Sequence, residues 1–183
     1  MNSMRQSTLE TLGLGTVLEI FKNGKLPVDT ETLVTKIFGK PGERGAMVIS
    51  GASGIVGAGK VMQFASRLLP FDIPIIALDL PGAPDGIGKQ YAGLQKAFGK
   101  GVADDIMKNI IRLNYDGKTL PSALTAYKPK FLLEAIPEII DLKKAHYELF
   151  RKKFPGISIY SVTSGFPSSQ LGVNIAHPAF PHE

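Results

Sequence analysis

The chain has 183 residues, 44% of them hydrophobic, enough for one full core and hardly enough for two independent domains. It contains no cysteine, which excludes a disulfide framework, a thiolate metal site and a cysteine nucleophile, and suits a reducing, cytoplasmic setting. The formal charge of +5 comes without a basic run of the kind that binds nucleic acid, and no apolar stretch approaches the roughly 18 residues that span a bilayer, so neither nucleic acid nor a membrane is expected as a partner.

In chain order, Ser7 followed by Glu10 has capping-box spacing, and Leu9, Leu12, Val17, Ile20 and Phe21 recur at helical intervals until Asn23-Gly24. A second helix is expected from Asp29 through Leu33, Val34, Ile37 and Phe38, closing at Gly39 with Pro41 behind it. Residues 1–44 thus read as a helical N-terminal extension joined through GKPGERG to a domain over 45–183. From Ala46 the texture changes to short apolar runs between helical patterns. AMVIS is followed by a helix through VMQFASRLL, then IPIIALD and a long helical tract to about residue 113. KFLLEA, a helix over about 138–153, ISIYSV and VNIA complete the chain. Apolar strands alternating with helices predict an α/β fold, a parallel sheet covered on both faces.

Residues 51–61, GASGIVGAGKV, admit two parses. In one, Gly51, Gly54 and Gly57 leave a strand and open a helix, as a dinucleotide loop requires for its tight turn, for backbone approach to a pyrophosphate and for helix packing. In the other, GIVGAGK has the spacing of a triphosphate-binding loop, but Val61 stands where that loop places the magnesium-ligating Ser or Thr. Asp79 ends the next strand 22 residues past Gly57, where a carboxylate binds an adenine-ribose hydroxyl and repels a 2′-phosphate. The dinucleotide parse with NAD is therefore preferred. Ser53, Ile55 and Val56 within the loop, and Leu80 beside Asp79, belong to the same expected cofactor site. The short-chain dehydrogenase pair, Tyr with Lys four residues later, does not occur: those positions hold Gln95, Thr119, Phe131, Arg151 and Ser164.

The later chain carries EAIPE at 134–138, LK at 142–143, LF at 149–150, VTSG at 162–165 and IAHPAFPHE at its end. Together with the glycine loop, these segments resemble the NAD-binding domain of the 3-hydroxyacyl-CoA dehydrogenases, in the branch that includes lambda-crystallin and carnitine dehydrogenase. The resemblance covers residues 46–183, and with the glycine loop it implies a Rossmann-type doubly wound parallel sheet of about six strands in the order 3-2-1-4-5-6. It implies that Gly51, Gly54 and Gly57 cradle the pyrophosphate and that Asp79 holds the adenine ribose. Ala135, Ile136, Glu138 and Lys143 would flank the nicotinamide ribose, and Ser164 would bond the substrate oxygen. His177 would take the proton of the 3-hydroxyl as hydride passes to NAD. No metal is implied, and the substrate class is a small molecule such as an acyl-CoA.

Each residue also has a plainer reading. Glu138 can be a first-turn helix acid, Lys143 a solvated helix lysine, Ser164 a turn residue, and His146 and His182 surface side chains. That family's Asn shortly after the histidine is replaced by Phe180, and the helical C-terminal domain that completes its cleft is absent from these residues. An apolar patch left by that domain predicts self-association. The alternative function is a catalytically inactive dinucleotide-binding module, a sensor or scaffold.

Overall fold

The structure, a computed structural model, describes residues 29–176. The chain divides into two compact units, residues 1–36 and 37–183. The helix expected between residues 7 and 21 lies outside the described residues. The second expected helix forms as α1 (Thr30–Phe38), where the Asp29 carboxylate accepts hydrogen bonds from Thr32 N at 2.9 Å and Thr32 Oγ1 at 3.2 Å. Gly39, at φ +104°, ends it in the left-handed region.

The unit beginning at residue 37 is built on one parallel sheet of β1 (Met47–Ser50), β2 (Ile75–Asp79), β3 (Ile110–Asn114), β4 (Phe131–Glu134), β5 (Ser158–Ser161) and β6 (Asn174–Ile175). The spatial order is β3-β2-β1-β4-β5-β6, the doubly wound order expected for a dinucleotide-binding sheet. The central strands are apolar runs because both faces are covered: Met47, Val48, Ile49 and Ser50 are all buried.

The connecting helices are α2 (Ile55–Leu68), α3 (Gly86–Lys89), α4 (Tyr91–Phe98), α5 (Lys100–Lys108), α6 (Ile140–Lys153) and α7 (Ser168–Leu171). Helix α2 buries Ala58, Val61, Met62, Ala65 and Leu68, an inward stripe at helical spacing, beside β1 and β2. Helix α6 brings Tyr147 and Phe150 into one cluster with Val48, Ile76, Leu78 and Leu132. Strand alternation gives Met47 and Ile49 to the other sheet face.

One expected element is corrected. The helical tract ends at Lys108, and residues 110–114, IIRLN, form the edge strand β3. Asn109 makes the break: its side chain donates to Ile73 O at 3.0 Å, and its carbonyl accepts from Ile75 N at 3.0 Å, which lays the next residues beside β2. The apolar spacing of α5 continues into the β-branched Ile110-Ile111 pair, so periodicity by itself extends the helix one element too far.

Candidate functional site

The site is built at the carboxyl ends of β1, β2, β4 and β5, beside the switch in strand order. Gly51 leaves β1 at φ +71°, and a Cβ there would lie 2.4 Å from Ala135 O. A Cβ on Gly57 would lie 1.9 Å from Gly51 O, so this glycine lets α2 close onto the turn. Gly54 differs: a Cβ would sit 3.5 Å from Gly51 O, in ordinary contact. The fold therefore needs Gly51 and Gly57 for its own packing, whereas the freedom of Gly54 is open to a ligand that approaches the backbone closely. Gly54 is also the N-cap of the 14-residue helix α2 and supplies no side-chain cap, which leaves first-turn N–H groups available to an anion.

This geometry departs from the second parse of the loop. Lys60 and Val61 lie in the second turn of α2 rather than at its start, and Val61 is fully buried in the core. A triphosphate-binding loop needs its Lys and hydroxyl residue at the helix entrance, facing phosphate.

Asp79 ties β2 to the loop. Its Oδ2 accepts from Ser53 N at 2.7 Å and its Oδ1 from Leu80 N at 2.8 Å. A cavity of about 460 Å³ is lined by Gly51, Gly54, Val56, Asp79, Ala135, Ile136, Glu138, Lys143 and Ser164. A second, of about 260 Å³, adjoins it at Asp79 and is lined also by Ser53 and Leu80. Of the expected loop residues, Gly57 is buried beneath the turn, and Ile55 is 97% exposed and lines neither cavity.

Behind the larger cavity lies a buried polar network that was not expected from the sequence. Ser50, Glu134 and Ser161 end three adjacent strands in register. Glu134 Oε1 accepts from Lys143 Nζ at 2.6 Å and Ile136 N at 2.7 Å, and Oε2 from Tyr147 Oη at 2.5 Å and Ser161 Oγ at 2.8 Å. Four donors satisfy a carboxylate that is wholly out of water, as burial of a charge demands. Burial, and then the bond to Glu134, push the Tyr147 hydroxyl pKa up and keep it a donor.

Lys143 is thus a structural cation in the cavity wall, 3.6 Å from Glu138 Oε2, and its reading as a solvated lysine is corrected. Glu138 accepts from Thr163 Oγ1 at 2.8 Å and Ser164 N at 3.3 Å, joining the turn after β4 to the turn after β5. Ser164 is exposed at the cavity edge.

His146, expected at the surface, is buried: its Nε2 lies 2.9 Å from Ser50 Oγ and its Nδ1 3.1 Å from Tyr115 Oη. Burial first, and the Lys143 charge second, lower its pKa from 6.5 to about 4. Burial likewise pushes the Tyr115 hydroxyl up to about 12. The signal for this group was present, since Lys143, His146, Tyr147 and Phe150 follow the i, i+3, i+4, i+7 stripe of an inward helix face. His177, Phe180 and His182 lie outside the described residues.

No helix among the described residues is long and apolar enough to cross a membrane. No protein-family model matches the chain, and no curated protein does. Among solved structures, it is similar to the (S)-3-hydroxybutyryl-CoA dehydrogenase of Ralstonia eutropha, with a TM-score of 0.53 and 19% identity over 69% of this chain and 43% of that one. The chain spans less than half of that dehydrogenase. What the two share at this identity is the fold: a parallel six-stranded sheet flanked by helices, of Rossmann type.

Proposed function

We propose that this chain carries the nucleotide domain of an NAD-dependent oxidoreductase of the 3-hydroxyacyl-CoA dehydrogenase type. The observation that carries the proposal is the 460 Å³ cavity, which gathers the glycine loop, Asp79, the Ala135–Glu138 turn and Ser164 on one rim. These residues come from four separate segments, and the fold has no packing need to leave Gly54 bare or Ser164 exposed at that place. The fold likeness to an enzyme named for (S)-3-hydroxybutyryl-CoA supports the substrate class, a 3-hydroxyacyl or 3-oxoacyl thioester.

The residues present fit a dinucleotide. Backbone N–H groups at the start of α2 would receive the pyrophosphate, and the Asp79 carboxylate would accept from the adenine-ribose hydroxyls. Ala135, Ile136 and Glu138 would line the nicotinamide-ribose side, held from behind by Glu134 and Lys143. Bound NAD supplies the hydride acceptor. Ser164 would hydrogen-bond the substrate oxygen, and His177 would take the proton from the 3-hydroxyl, a role suited to a side chain that titrates near neutrality.

Calorimetric titration with NADH, and separately with ATP and magnesium, tests the reading, followed by NADH oxidation with acetoacetyl-CoA. One-site NADH binding with oxidation is expected. Binding without oxidation would replace the enzyme by a dinucleotide-binding module, and absence of NADH binding would overturn both.

A further inference from the structure

The second cavity, of about 260 Å³, shares Asp79 with the first and continues from it toward β3. Three charged residues line it: Asp79, Asp85 and Arg112. Arg112 stands on β3 opposite Ala77 of β2, and Asn114 stands opposite Asp79, so Arg112 and Asn114 face the same side. The Arg112 guanidinium does not stand free. Its NH1 donates to Asp85 Oδ1 at 2.8 Å, and the same oxygen accepts from Gly88 N at 2.7 Å.

This arrangement bears on how an adenosine ribose is read, and the argument rests on the NAD reading above. A substituent on a ribose held by Asp79 has the second cavity as its adjoining space, because Asp79 lines both. An arginine beside that position is the group that accepts a 2′-phosphate in NADP-binding relatives of this fold. Here two carboxylates and one guanidinium line the same cavity, and Asp85 already holds the guanidinium.

We propose that this cavity is a filter against 2′-phosphorylated dinucleotide, in which Asp85 occupies the guanidinium that would receive the phosphate. Asp79 repels the phosphate directly, and Asp85 withholds its only nearby cationic partner among the described cavity residues. The pair is about half exposed on both sides, at 47% and 57%, so it is screened by water and its arginine can be taken by a stronger anion once Asp85 loses its charge.

Asp85→Asn tests this, because the amide keeps an oxygen for Gly88 N and removes only the charge. Calorimetric affinities for NADH and NADPH are measured on the wild-type chain, D85N, and D85N combined with R112A. The wild-type chain is expected to prefer NADH, and the NADPH-to-NADH affinity ratio to rise about tenfold in D85N. That gain is expected to vanish when Arg112 is also removed. An unchanged ratio in D85N, or a gain that survives loss of Arg112, would overturn the filter. A wild-type chain that binds both dinucleotides equally would overturn the filter and leave the NAD-type reading in place. One that binds neither would overturn both.

Discussion

Lys143 Nζ lies 2.6 Å from Glu134 Oε1, and neither side chain is more than 1% exposed. Breaking such a pair from one side leaves an uncompensated charge in the interior, which costs about 3–5 kcal/mol. Lys143→Met is therefore expected to destabilise the fold by that amount in urea denaturation. The double variant with Glu134→Gln should recover part of the loss, since it removes the stranded charge. Equal stabilities of the single and double variants would mean that Glu134 is not ionised against Lys143.

His146 makes stability depend on pH with a definite sign. Its folded pKa, about 4, lies below the ordinary 6.5, so the unfolded chain takes up a proton that the folded chain refuses. Its contribution is fully present above pH 6.5 and is lost progressively as pH falls toward 4. The loss amounts to about 3 kcal/mol over that window. Urea unfolding at several pH values between 7 and 4 should show a steeper decline for the wild-type chain than for His146→Asn. Parallel curves would place a charged or exposed imidazole at this position.

Two loop glycines, Gly54 and Gly57, are expected to separate function from fold. Gly57→Ala puts a methyl against Gly51 O and should cost several kcal/mol, on the order of an overpacked core site. Gly54→Ala should leave the melting temperature nearly unchanged while weakening NADH binding about tenfold or more, because only an approaching ligand meets the added methyl. A Gly54→Ala protein with wild-type affinity would remove the loop from the binding site.

Asp79→Ala takes away the acceptor for Ser53 N and Leu80 N together with the expected ribose partner. NADH affinity should fall about tenfold to a hundredfold, the range for a lost hydrogen bond to a charged group. Far-ultraviolet circular dichroism should stay unchanged. Full affinity in this variant would exclude Asp79 from the ribose site.

Much of the frame was legible from local pattern. Apolar runs with helices between them are enough to predict a parallel sheet covered on both faces, because each parallel crossover carries its helix back over the sheet. The turn at Gly51 after β1 and the place of Asp79 at the end of β2 were readable for the same reason: each marks where an apolar run stops. The start of β3 was not, since helical spacing runs on through Ile110-Ile111 and only the bonds of Asn109 to β2 and its neighbours stop it.

Tertiary structure alone decided the rest, and the reason is range. Whether Lys60 faces a phosphate depends on where α2 begins, and the turn at Gly51 and Gly54 sets that start. Whether Lys143 and His146 are surface or core depends on what the sheet places opposite them. Glu134 on β4 and Ser50 on β1 are those partners, 9 and 96 residues away in the chain. A charged helix residue is buried only when such a partner satisfies it, and nothing in the local sequence states where that partner will stand.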